Sequence, residues 1–298
     1  MDDPKSYFDL LPEEIWERIN RIVRADPTFA MIMDLPYEIQ RDFVAVQMPY
    51  PDVLRFCATS KAAKKVCDDD YFWKLKIAHD FPDEPAEGYE GRWRELYKRY
   101  WKETEEKLIS CASEGHLKCV ESKLQLGVDP NFRGEDGNTA LIETSLTTAM
   151  YESENSGIIK LLLDHGADPN IQNDTGMTAL MWLSVGGSID DVRLLLKHGA
   201  KTNLENTSGM TALLLATGNN VRVDLVRLLL ESNANPNARS NKWKETPLMH
   251  ASKWGHEDVV QLLLKYGADT ELQNVAGKTA LDLASKKGHT NIVRLLSE

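Results

Sequence analysis

From about residue 104 onward, apolar positions recur in short runs at a fixed interval. Leu-Leu-Leu stands at Leu161–Leu163, Leu194–Leu196, Leu228–Leu230 and Leu262–Leu264, with Leu295-Leu296 after them. The starts are 33, 34, 34 and 33 residues apart. A second series, Thr-Ala-Leu or Thr-Pro-Leu, begins at Thr139, Thr178, Thr211, Thr246 and Thr279, in steps of 39, 33, 35 and 33. A third is an asparagine at Asn131, Asn170, Asn203 and Asn237. Three series in phase at about 33 residues define a tandem array.

The pattern inside a unit predicts two helices and a turn. Thr is a helix N-cap, with Ala or Pro following at the first helical position. A short apolar helix such as "TALMWLSVGG" then turns into a second one such as "IDDVRLLLKHG". The second carries Val and Leu at i, i+3, i+4 spacing, one buried face. Gly127, Gly166, Gly199 and Gly267 fall where a helix end needs a left-handed residue, and Asn233 takes that place in the fourth unit. The polar stretch before each Thr carries turn formers and predicts a tight hairpin.

The first hundred residues lack this period and read as a run of helices. "PEEIWERINRIV" puts Ile15, Ile19, Ile22 and Val23 on one face, and Ala25-Asp26-Pro27 breaks it. Leu35-Pro36 opens a helix with Ile39, Phe43 and Val46 together, closed by Pro49 and Pro51. Over "PDVLRFCATSKAAKKVC" one helix is expected, with Val53, Leu54 and Cys57 inward. "DDDYFWKLKIAHDF" gives another, started by acidic residues that suit the helix dipole and carrying Phe72, Trp73, Leu75 and Ile77. A longer helix from about Gly91 leads to the first unit.

The repeat motifs resemble the ankyrin repeat, whose pattern is D-x-x-G-x-T-P-L-H-x-A-A-x-x-G-H-x-x-V-x-x-L-L-x-x-G-A-D-x-N. About six units fit, the first and last incomplete, and the second is long around "TTAMYESENSG". Gly-His survives at Gly115-His116, Gly255-His256 and Gly288-His289. Thr-Pro-Leu-His is never complete, since Ile142, Met181, Leu214, Met249 and Asp282 fill its last place. The array is expected to be less stable than a consensus one, most of all in its second and fourth units. The resemblance implies stacked units that bind another protein through hairpin tips and first helices.

The run Leu35 to Trp73 resembles an F-box. Leu35-Pro36-Tyr37-Glu38-Ile39 matches the L-P-x-E-I opening. Asp52-Val53-Leu54, Ser60-Lys61 and Trp73 follow at offsets of 17, 25 and 38 from Leu35. A second opening of this kind, "LLPEEIWERI", lacks the later landmarks. The resemblance implies docking on the Skp-type adaptor of a cullin–RING ubiquitin ligase through Leu35, Pro36, Ile39, Val53 and Leu54. The expected fold is all-α: an F-box-like helical bundle, then an ankyrin α-solenoid with short β-hairpin loops. Its expected parts are an extension (1–34), the F-box-like domain (35–80), a linker helix region (81–103) and the repeats (104–298).

Composition narrows the chemistry. A net charge of −11 opposes a general grip on nucleic acid or anionic membrane. No apolar run reaches the roughly 18 residues of a membrane span. Cys57, Cys67, Cys111 and Cys119 form no C-x-x-C pair, so no zinc site is expected, and the reading is free thiols in a reducing compartment. No P-loop, G-x-S-x-G, H-E-x-x-H or kinase signature occurs, and neither catalysis nor a cofactor is expected.

Candidate target-binding residues concentrate late in the array. In the fifth unit they are Arg239, Lys242, Trp243 and Lys244 in the hairpin, with Lys253 and Trp254 ending its first helix. Lys278, Lys286 and Lys287 continue them in the sixth. Exposed Trp among cations suits an acidic partner. Trp182, in a slot usually filled by Leu, is expected in the core. The whole reads as a cytoplasmic substrate receptor of a ubiquitin ligase, of the kind found in large DNA viruses and intracellular bacteria, acting in the host cytoplasm or nucleus. The alternative is a scaffold or inhibitor that binds a partner without degrading it.

Overall fold

The computed structural model describes residue 41 and residues 48–59, 61–84, 91–151, 155–218 and 221–297. Among the described residues the chain is helical, with no strand. It falls into two compact units that divide between Glu103 and Thr104.

In the first unit the stretch expected as one helix is two, α1 (Tyr50–Thr59) and α2 (Lys61–Cys67). Helix α3 (Asp70–Asp80) starts under Asp69, whose carboxylate accepts the Tyr71 N–H at 3.0 Å. Helix α4 (Trp93–Ser113) begins in this unit and ends in the next. Phe56, Phe72, Trp73, Leu96 and Tyr97 are fully buried. The Trp73 indole N–H donates to the Cys67 carbonyl at 2.8 Å, and its ring centroid lies 5.3 Å from that of Tyr97. These aromatics supply the apolar area and edge contacts that close the core of this unit.

The orientation of α1 differs from the sequence expectation. Val53 and Phe56, three apart, face inward, and Leu54 is 44% exposed. One residue turns a helix by about 100°, so adjacent apolar residues cannot both point at one core. Leu35, Pro36 and Ile39 lie outside the described residues.

The second unit stacks helix pairs. After the end of α4, α5 (Leu117–Gln125) completes the first repeat. The next are α6 (Ala140–Tyr151) with α7 (Ser156–Asp164), and α8 (Ala179–Gly186) with α9 (Ile189–Lys197). Then come α10 (Ala212–Ala216) with α11 (Val223–Glu231), α12 (Pro247–Trp254) with α13 (Glu257–Lys265), and α14 (Ala280–Lys287) with α15 (Thr290–Ser297). First helices pack on first helices in one layer, and second helices on second helices in the other.

The sequence signals act as expected. Thr178, Thr211, Thr246 and Thr279 each accept the backbone N–H three residues on. Asn233 takes φ 63°, beside the positive φ of Gly127, Gly166, Gly199 and Gly267. Hairpins close with single backbone bonds, such as Asn206 N–H to the Met210 carbonyl at 3.1 Å. The asparagine series clamps neighbouring repeats: Asn203 Nδ2 donates to the Asn233 carbonyl at 2.9 Å and its Oδ1 accepts the Asn235 N–H at 2.7 Å.

Two expectations are corrected. The cysteines are paired, Cys57 with Cys67 and Cys111 with Cys119, each at a Cα separation of 5.9 Å. Neither spacing is a recognised disulfide signature; adjacent helices bring each pair within bridging reach. Trp182 is half-buried, not in the core, and its indole nitrogen is enclosed without a hydrogen-bond partner.

Candidate protein-interaction surfaces

The hairpin tips of the array form a chain of backbone bonds. Asp174 N–H donates to the Asp136 carbonyl at 3.0 Å, Thr207 N–H to Thr175 at 3.0 Å, Asn241 N–H to Ser208 at 2.8 Å, and Val275 N–H to Trp243 at 3.0 Å. Gly209, at φ 69°, lies so close to Asn241 that a Cβ there would meet its backbone nitrogen at 2.7 Å. The Trp243 backbone is therefore held while its side chain stands 57% exposed, with Lys242 Nζ 5.0 Å from its ring centroid. Lys244 beside it adopts φ 53°. Arg239 Nη2 donates to the Gln273 carbonyl at 2.6 Å, which bridges the fifth and sixth tips.

Trp254 ends α12 and is 49% exposed. Helix α12 has eight residues, about 12 Å of rise, so the two tryptophans mark opposite edges of the fifth repeat's face. Between them Glu245 accepts from His250 Nε2 at 3.2 Å and Lys253 Nζ at 3.5 Å. Burial holds the His250 pKa below its ordinary value, against the pull of the Glu245 carboxylate. Lys278, Lys286 and Lys287 are exposed in the sixth repeat.

Five more exposed apolar side chains went unnoticed in the sequence: Met150, Tyr151, Val185, Val275 and Leu117. The first two sit on the extra turn that the long second repeat adds to α6, so its unusual length was the available signal. Another surprise is Asp191, which is buried in a column that Ile158, Leu225 and Val259 fill elsewhere. Its Oδ2 has no hydrogen-bond partner, and burial raises its pKa, opposed by a hydrogen bond from Ser156.

In the first unit Leu54 and Tyr71 are the large hydrophobic residues exposed among those described. Val53 is fully buried and packs the interior. Below them lies a buried ionic group: Lys76 Nζ meets Asp80 Oδ2 at 2.7 Å, and the Tyr97 hydroxyl donates to the same oxygen at 2.5 Å.

Among the described residues no group of three or more His, Cys, Asp or Glu is placed to hold a metal, and no helix is long and apolar enough to cross a membrane. The exposed apolar and charged side chains among the described residues are surfaces suited to binding.

A family model described as ankyrin repeats, in three copies, matches residues 146–240 and 224–298. These residues lie in the second unit, and no F-box family match is found. No curated protein matches the chain significantly. A solved structure of a predatory endopeptidase from Bdellovibrio bacteriovorus in complex with an immunity protein contains a chain similar to this one. The identity is 28%, the TM-score 0.55, and the match covers 64% of this chain and 96% of that one.

Proposed function

Because the chain belongs to the ankyrin-repeat family, we propose that it is a non-catalytic, two-module receptor: its array grips a target protein, and its first unit docks the Skp-type adaptor of a cullin–RING ubiquitin ligase. The observation that carries this reading is exposed apolar surface on both units, Leu54 on one and Trp243 with Trp254 on the other. The F-box landmarks support the adaptor assignment, with Trp73 and Val53 interior and Leu54 free to meet a partner. Joining two binding modules raises the local concentration of target near the ligase without any chemistry in this chain. The receptor acts in the cytoplasm. Co-purification of the full chain from cells tests it: the adaptor and a cullin accompany the wild type, and the Leu35→Ala, Pro36→Ala double variant loses them. Absence of the adaptor from the wild-type sample contradicts the receptor role.

A second reading, an inhibitor that holds a partner without degrading it, is favoured by the two cysteine pairs, which suit an oxidising compartment. The likeness to a chain from a complex with an immunity protein supports it as well. A soluble partner retained without adaptor or cullin is its expected signature.

A further inference from the structure

The apolar surface of the array is one-sided. Of the large hydrophobic residues exposed among its described residues, Met150, Tyr151, Val185, Trp243, Trp254 and Val275 all lie on first helices or hairpin tips, and only Leu117 lies on a second helix. Met150, Tyr151, Val185 and Trp254 share one place, the C-terminal end of a first helix.

These ends are joined repeat to repeat. A Cβ at Gly186 would meet the Ala149 carbonyl at 2.4 Å, so α8 ends against the backbone of α6. The Arg222 guanidinium donates to the Gly187 carbonyl. His256 Nε2 lies 3.2 Å from the Gly218 carbonyl and His289 Nε2 lies 3.2 Å from that of Lys253. The row of ends is thus continuous from the second repeat to the sixth.

Charge changes sign along the same face. In the second repeat Glu135, Asp136 and Glu143 outnumber Arg133, and the third and fourth have only Asp174 and Glu205. In the fifth, Arg239, Lys242, Lys244 and Lys253 face Glu245 alone. In the sixth, Lys278, Lys286 and Lys287 face Asp282. A chain of net charge −11 therefore places a cationic end on one stretch of one face.

Resting on the protein-binding reading above, we propose that this face takes a single segment of a partner protein in a fixed direction: apolar side chains against Met150, Tyr151, Val185 and Trp254, and an acidic end over Lys286 and Lys287. Four steps between packed first helices, at about 8–10 Å each, set its length near 35 Å. That is about 23 residues of helix or about 10 of extended chain. Apolar contacts hold the segment, and the charge gradient sets its direction and rejects the reverse one.

The test uses the full chain in the cell that expresses it, with a photo-crosslinking phenylalanine derivative at position 185, 287 or, on a second helix, 193. The peptides joined to it are identified by mass spectrometry. Positions 185 and 287 are expected to reach two parts of one partner segment, apolar at 185 and rich in Asp and Glu at 287, with little product from 193. Lys286→Glu with Lys287→Glu is expected to lower capture about tenfold at low salt and to leave the melting curve unchanged, since both side chains are exposed. A basic or uncharged peptide at 287, a second copy of this chain, or dominant product from 193 overturns the proposal and leaves protein binding standing. No product from any position overturns both.

Discussion

The imidazole of His289 meets the main-chain carbonyl of Lys253 at 3.2 Å and ties the last repeat to the end of α12. The contact joins the residue before Trp254 to the turn that follows Lys286 and Lys287. His289→Ala is expected to cost about 1 kcal/mol, the worth of one hydrogen bond. The loss will be local, because repeat arrays transmit stability between neighbours. Hydrogen exchange should show α14 and α15 losing protection while α7 to α9 keep theirs. Equal loss throughout the array would refute a local clasp.

Asp191 is a carboxyl group in an apolar column, and replacing it should stabilise the protein. Asp191→Val is expected to add about 1–3 kcal/mol at pH 7 by removing a buried, half-satisfied polar group. The folded-state pKa is raised by burial, so the proton is favoured in the folded protein. Stability from this site is present below the unfolded value of about 3.9 and is lost as pH rises through the folded one. The gap between variant and wild type in denaturant titrations should widen from pH 4 to pH 7. A gap that shrinks over that range contradicts the assignment.

Lys76 and Asp80 form a buried pair in which removing one partner is worse than removing both. Burial lowers the Lys76 pKa, partly offset by Asp80. Burial by itself would raise Asp80, but hydrogen bonds from His79, Lys76 and Tyr97, with the Lys76 charge, hold it below the usual carboxylate range. Lys76→Ala is expected to cost about 3–5 kcal/mol, and adding Asp80→Leu to recover part of it. For Asp80 the folded pKa is depressed, so its stabilisation is present above about pH 3.9 and is lost as pH falls through the folded value. Lys76→Ala should weaken that pH dependence, while the hydrogen bonds from His79 and Tyr97 to Asp80 remain. A double-mutant cycle that sums without coupling would show the pair to be independent.

The cysteine pairs separate the two functional readings. The structure predicts no alkylation of Cys57, Cys67, Cys111 or Cys119 by a thiol reagent under oxidising conditions, and full alkylation after reduction. The same assay on the chain taken directly from its own cells reports the compartment. Four modified thiols there support the ligase receptor, and none supports the inhibitor.

The array was legible because its signals are local and repeated. Thr caps and left-handed Gly or Asn positions act within one turn of the chain, and the 33-residue period shows each of them several times. The clamp residues were legible as a series, though their partner carbonyls, some 30 residues on, were not. The first unit was harder. In α1 two apolar neighbours, Val53 and Leu54, compete for one buried face, and only the packing of the helix, whose Tyr50 ring meets those of Trp73 and Tyr97, decides between them. Trp182 occupies a slot whose usual Leu misled the reading, and the burial of Asp191 went unread, since burial belongs to the stack and not to the residue. The exposed row of Met150, Tyr151, Val185 and Trp254 has no sequence period; the stacked first-helix ends alone bring it together.

The central claim is two separate binding surfaces on one chain, and paired capture tests it most directly. The adaptor and the target would be quantified together on three full-length proteins: wild type, Leu54→Asp, and Trp243→Ala with Trp254→Ala. All three substituted side chains are largely exposed, so folding should be preserved. The wild type is expected to retain both partners, Leu54→Asp to lose the adaptor and keep the target, and the tryptophan variant to do the reverse. Loss of both partners from either variant, or of neither from both, would contradict the account.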